Sequence, residues 1–87
     1  MQRWSPEIIR YLYTAADHSR YYQDLARQLG AFLRPEDRVC DAGCGLGLLS
    51  RALLPYCAHV TAVDRSPAAV AALRARGEDP KLSALTG

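Results

Sequence analysis

The chain has 87 residues, of which 49% are apolar and 23% charged, with a formal net charge of +2. That is at most one small domain of ordinary globular composition, whose core removes roughly 60 to 65% of the unfolded surface from water. The charge is too small to argue for nucleic acid or an anionic membrane, and charged residues interrupt every apolar run well before the ~20 residues of a membrane span.

The start, Met1 to Glu7, has no apolar stretch after its one basic residue, so it does not read as a secretory signal, and a soluble cytoplasmic protein is expected by default. The Lys and Arg residues are spread along the chain and read as solvated faces. Cys40, Cys44 and Cys57 are odd in number and form no CxxC pair, so they read as reduced packing residues, not as metal ligands or a disulfide. His18 and His59 have no carboxylate or nucleophile at a telling spacing and read as packing or surface residues.

Ser5 can cap a helix that has Pro6 at its first position, with Ile8, Ile9, Leu12, Tyr13 and Ala16 on one face. A second helix is expected from about Ser19 to Leu33, burying Tyr22, Leu25, Ala26, Leu29, Phe32 and Leu33, and closed by Pro35, Glu36 and Asp37. Arg38 to Asp41 reads as a short strand. The next helix opens near Leu46, carries Leu48, Leu49, Ala52, Leu53 and Leu54, and stops before Pro55. His59 to Val63 is a second strand, and Ser66-Pro67 opens a third region of helix that Gly77 ends. Lys81 to Thr86 reads as a third strand. Strands alternating with helices of this length imply an α/β fold with a parallel sheet.

The densest signal is Val39-Cys40-Asp41-Ala42-Gly43-Cys44-Gly45-Leu46-Gly47-Leu48 at the first strand-to-helix turn, followed by Val60-Thr61-Ala62-Val63-Asp64. Glycines at alternate positions let the backbone approach a ligand, and a second acid 17 residues beyond Gly47 can reach the hydroxyls of a ribose lying on that loop. The dinucleotide pattern G-x-G-x-x-G/A fails at Leu48 and at Ser50. A pyrophosphate would also be opposed by Asp41, whereas a cationic ligand would be favoured.

In these residues the chain resembles the class I S-adenosylmethionine-dependent methyltransferases, whose first motif is an acid, any residue, then G-x-G-x-G. Asp41-Ala42-Gly43-Cys44-Gly45-Leu46-Gly47 matches every defined position, and Val60 to Asp64 is similar to the family's second strand with its ribose-binding acid. The resemblance covers roughly residues 20 to 87. It implies a Rossmann-like doubly wound parallel sheet, of which the first two or three strands are present, preceded by two N-terminal helices. Residues 1–35 would be those helices and residues 36–87 the start of the cofactor-binding fold.

The resemblance further implies S-adenosylmethionine as cofactor. Asp41, Ala42, Gly43, Cys44, Gly45, Asp64 and Arg65 would be contact residues, with Gly47 serving the turn into the helix. Asp41 would order the loop or hold a water near the methionine end, and Asp64 would accept from the ribose hydroxyls. Arg65 covers the adenine face or points to solvent, with solvent favoured. Tyr21 is the candidate for the methionine carboxylate, since helical phase assigns Tyr22 to the core.

The family's fold has seven strands and its acceptor-side residues come after the fourth, so the expectation is an N-terminal portion of a methyltransferase. Its acceptor would be a small molecule, and self-association could occur through the open sheet edge. A non-catalytic remnant or partner module, and more weakly an NAD-dependent oxidoreductase, are the alternatives.

Overall fold

The computed structural model describes residues 4–87. Helix α1 spans Pro6–Asp17, and the Ser5 hydroxyl accepts from the Ile8 amide at 3.1 Å, as the Ser-Pro pair predicts. Helix α2, Tyr21–Gly30, is shorter than the expected 19–33. Its C-terminal glycine lies so close to Tyr56 that a Cβ there would sit 2.5 Å from a ring carbon. Beyond Gly30 the chain turns, with the Phe32 amide on the Leu29 carbonyl and the Leu33 amide on the Gly30 carbonyl. That turn moves Phe32 off the apolar face, so Phe32 is 86% exposed; Leu29, within α2, is 38% exposed, and neither is the core residue expected. Leu33 still reaches the core.

Strands β1 (Arg38–Ala42), β2 (His59–Asp64) and β3 (Leu82–Thr86) form a parallel sheet in the order β1-β2-β3. Val39, Val60 and Leu82 stand in register on one face, as do Asp41, Ala62 and Ala84. Between β1 and β2 runs α3, Leu48–Leu53, which Pro55 converts into a single 3₁₀ turn over Leu54–Tyr56. Between β2 and β3 runs α4, Pro67–Ala75, whose Ala69 amide donates to the Ser66 hydroxyl at 3.2 Å.

Successive crossovers in one direction and of one hand place α3 and α4 on the same side of the sheet. There Ala26, Leu53, Cys57 and Val60 form one buried cluster, against which Val39, Leu49 and Leu82 pack. A second cluster of Tyr13, Leu46 and Ala69 joins α1 to the glycine loop and α4. Val60, Val70 and Leu73 are fully buried, each stabilising the fold by about 1.5–3 kcal/mol relative to exposure. The other face of the sheet carries the rows Cys40, Thr61, Ser83 and Ala42, Val63, Leu85, of which Cys40, Ala42 and Leu85 are exposed.

The basic residues are not all solvated faces. Arg51, half-buried on α3, donates to the carbonyls of Leu73 at 2.7 Å and Gly77 at 2.6 Å, which ties α3 to the end of α4. Arg74 donates to Ala84 on the edge strand, and Lys81 donates to the Leu54 carbonyl. Arg76 lies 4.1 Å from the centre of the Tyr13 ring and pairs with Asp17 at 3.0 Å, which ties α1 to α4. Among the described residues no helix is long and apolar enough to cross a membrane.

Candidate functional site

Parallel pairing brings the carboxyl ends of β1 and β2 side by side, with Asp41 opposite Ala62 and Ala42 opposite Val63. Open α/β sheets bind ligands at this end. The chain leaving β1 folds back at once, and the amides of Gly43 and Cys44 both donate to the Val63 carbonyl, at 2.7 and 3.0 Å. The loop closes with the Gly47 amide on the Cys44 carbonyl at 3.0 Å and enters α3.

Three glycines in this loop have positive φ: +72° at Gly43, +55° at Gly45 and +75° at Gly47. Only Gly47 is also crowded, since a Cβ there would land inside the Leu73 side chain of α4. It is the turn residue that lets α3 and α4 close-pack. Gly45 faces the Trp4 indole, the nearest ring carbon lying 3.5 Å from where its Cβ would be, while nothing lies within 4 Å of the corresponding point on Gly43. Gly43 therefore presents bare backbone to open space.

Two carboxylates flank the loop. Asp64, half-buried at the end of β2, accepts from the Gly45 amide through Oδ1 at 3.1 Å and from the Ser66 amide through Oδ2 at 3.0 Å. The second of these bonds starts the turn into α4, and the first holds the glycine loop against β2. Asp41 receives the Ser50 hydroxyl on Oδ2 at 2.6 Å, and Ser50 is completely buried. Bonds to an ionised acceptor are about twice as strong as neutral ones, so both acids fix the loop's shape before any ligand arrives.

Between the loop and the N-terminal helices is a cavity of about 280 Å³ lined by Trp4, Leu12, Tyr22, Asp41, Gly43 and Gly45, among others. Its volume falls just under the usual range for a whole ligand, roughly 300–1,000 Å³, and Gly43 forms part of its wall. The Cys44 thiol is pushed up to about 11, first by burial and then by the negative charges of Asp41 and Asp64, so it is a protonated wall residue at neutral pH.

The sequence-predicted residues fall into three groups. Asp41, Gly43, Cys44 and Gly45 line the cavity, and Asp64 is joined to it through the Gly45 amide. Ala42 and Arg65 are exposed. Tyr21 does not line the cavity; it is 63% exposed and meets Tyr22 edge-on, with ring centroids 5.0 Å apart. Tyr22, assigned to the core by helical phase, is the tyrosine that faces the cavity, because α2 packs with that flank toward the loop.

Sequence reasoning misses two residues at the site. Ser50 has a signal in hindsight, the one hydroxyl in the otherwise apolar and basic segment Leu48–Leu53. Trp4, a lone aromatic before the first cap, has none. His18 donates from Nδ1 to the Thr14 carbonyl and His59 pairs with the Ser83 hydroxyl, both at 2.9 Å. Among the described residues no cluster of His, Cys, Asp and Glu could hold a metal ion.

A parallel sheet with a G-x-G-x-G turn between two acids defines a nucleoside-binding α/β protein, and comparison with known families makes the class specific. Residues 39–87, more than half of the chain, match the family described as "Methyltransferase domain". The chain belongs to this family, the class I S-adenosylmethionine-dependent methyltransferases, whose cofactor is S-adenosylmethionine. The NAD-dependent alternative is thereby set aside.

A ubiquinone biosynthesis O-methyltransferase of Xylella fastidiosa is 52% identical over 40 residues, which is 46% of this chain and 16% of that protein. Among solved structures, S-adenosylmethionine-bound CalS10, an amino pentose methyltransferase from Micromonospora echinaspora, superposes with a TM-score of 0.69 at 22% identity, covering 100% of this chain and 37% of that one. The 23S rRNA methyltransferase ErmE superposes with a TM-score of 0.62 at 30% identity, covering 75% of this chain and 26% of that one. The chain thus spans about a sixth of the length of the curated relative and a quarter to two fifths of these two structures.

Proposed function

We propose that this chain holds S-adenosylmethionine across its glycine loop and serves the transfer of a methyl group to a small-molecule acceptor in the cytoplasm. In this reading residues 36–87 are the cofactor-binding fold and residues 1–35 the helices that cover it. The observation that carries the reading is the Asp64 carboxylate, held by two backbone amides beside the bare Gly43 face.

The donor set suits a cation that carries a ribose. Each Asp64 oxygen has a lone pair beyond the one its amide uses, so the vicinal hydroxyls can both donate to it. Among the described residues, Asp41 is the charged one lining the cavity, which favours a positive group there and disfavours a pyrophosphate. Bound S-adenosylmethionine supplies a methyl carbon activated by its sulfonium charge. What this chain supplies is orientation: Asp64 fixes the ribose, the Ser50 bond fixes Asp41, and the glycine backbone sets the approach. Contact roles for Ala42 and Arg65 would run through backbone or the ligand's outer edge, since both are exposed.

A small-molecule acceptor is supported by the relative named for ubiquinone biosynthesis and by the amino pentose enzyme. ErmE, named for an RNA, is the counter-example, and the net charge of +2 weighs against an acceptor of that kind.

Calorimetric titration of the 87-residue chain with S-adenosylhomocysteine, with NAD as control, tests the reading. Saturable binding is expected for S-adenosylhomocysteine alone, weakened about ten- to a hundredfold by Asp64→Asn, which removes the charge from those bonds. A folded chain that binds neither ligand would refute it.

A second reading, self-association through a sheet edge, is supported by β1 pairing on one side only among the described residues. It predicts a sedimentation coefficient that rises with concentration, and a constant monomer value would exclude it.

A further inference from the structure

The cavity beside the glycine loop has one wall that the cofactor motifs do not account for. The Trp4 indole lies over Gly45, 3.5 and 3.7 Å from where a Cβ would stand, and lines the same cavity as Asp41 and Gly43. It packs against the cluster of Tyr13, Leu46 and Ala69, so it is half-buried and not a loose terminal side chain.

Helix α1 anchors Trp4 in this position, since Ser5 caps that helix directly after it. The helix is tied to the loop by the Tyr13 hydroxyl, which donates to the Leu46 carbonyl at 3.0 Å, and to α4 by Arg76 stacked on the Tyr13 ring. Tyr13 and Leu46 are both buried, so this is a built contact between α1 and the loop that carries Gly45.

The reading of the loop as the S-adenosylmethionine site, on which this inference rests, places the ribose diol at Asp64. In that molecule the sulfonium is joined to the ribose by one methylene. A ribose on Asp64, whose carboxylate holds the Gly45 amide, would bring the sulfur within a methylene of the loop that the indole contacts at Gly45. A cation is attracted to the face of an indole, most strongly where water is excluded.

We propose that Trp4 is a cofactor-contacting residue, an indole wall that selects the positively charged sulfonium form over the neutral thioether left after methyl transfer. The loop glycines and Asp64 treat the two forms alike, because adenosine and the amino acid end are unchanged between them. Discrimination would fall to Trp4 and Asp41, the indole and the carboxylate that line the cavity. Product release is favoured by the same arrangement.

Trp4 is the chain's single tryptophan, so its fluorescence reports on this wall alone. The experiment titrates the wild-type 87-residue chain with S-adenosylmethionine and S-adenosylhomocysteine, following indole emission and calorimetric heat in parallel. Circular dichroism and urea midpoints verify the folding of Trp4→Leu and Trp4→Phe. The expected result is an emission change that saturates with the calorimetric isotherm. Trp4→Leu should weaken S-adenosylmethionine about three- to tenfold while changing S-adenosylhomocysteine less than about twofold, with Trp4→Phe between.

Calorimetric binding with unchanged wild-type emission, or an unaltered affinity ratio in folded Trp4→Leu, would overturn the assignment and leave the cofactor site standing. No heat with either ligand would overturn the site itself, and the assignment with it.

Discussion

Replacing Gly47 by alanine tests how the glycine loop is locked to the rest of the fold. Two costs are separable there. A non-glycine residue at φ +75° carries a conformational penalty of about 1–2 kcal/mol. The added Cβ would also intrude on the Leu73 side chain, which is fully buried, and overpacking of this kind costs about 1–3 kcal/mol. Together the expected loss is roughly 2–5 kcal/mol, a large share of the roughly 4–13 kcal/mol available to a chain of 87 residues.

Gly43→Ala is the built-in control, because Gly43 has nearly the same φ, +72°, with nothing near its Cβ position. It should cost only the conformational part. Urea unfolding followed by far-ultraviolet circular dichroism would measure both, and the difference of about 1–3 kcal/mol is the steric contribution. Leu73→Val withdraws the branch that the new methyl meets and should recover most of that difference in the double variant. Equal midpoints for Gly47→Ala and Gly43→Ala would refute the claim that Gly47 is held by contact with α4.

Three further outcomes are expected. Tyr13→Phe keeps the ring under Arg76 but strands the Leu46 carbonyl, at a cost of about 1–3 kcal/mol in the urea midpoint; no change would mean that the hydroxyl does not anchor α1. Ser50→Ala removes the donor to Asp41 and should cost about 1.5–3 kcal/mol, with Ser50→Thr milder if the extra methyl fits; a neutral Ser50→Ala would show that water replaces the bond. Cys44 has a folded-state pKa raised from 9.0 to about 11, so the protonated thiol is favoured in the fold. Its contribution is intact below pH 9 and declines as pH rises from 9 toward 11, and Cys44→Ala should flatten that part of the pH profile; at pH 8 iodoacetamide should label exposed Cys40 well before Cys44, which mass spectrometry would resolve.

The strand-turn-helix core was legible because its signals are local. Val39, Val60 and Val63 favour strands, Ser5-Pro6 and Ser66-Pro67 each announce a helix start, and alternate glycines before an apolar helix have few other uses. The family resemblance was legible for the same reason, since the spacing from loop to second acid is a property of one βαβ unit.

What escaped depends on contacts between elements. Gly30, the last residue of α2, is bare because Tyr56, far along the chain, fills the space where a side chain would stand, and no periodicity within Ser19 to Leu33 encodes that. Which of Tyr21 and Tyr22 lines the cavity is set by the flank of α2 that meets the loop. Arg51 looks like any surface arginine until α4 ends against it. Trp4 precedes every periodic pattern, so only the folded arrangement brings it over Gly45.

The Asp64 carboxylate behaves as a hinge pin. One oxygen grips the loop after β1 and the other grips the start of α4, so neither can loosen without pulling on the other. The two turns at this end of the sheet form one mechanical joint. Whatever stiffens Asp64 stiffens both at once.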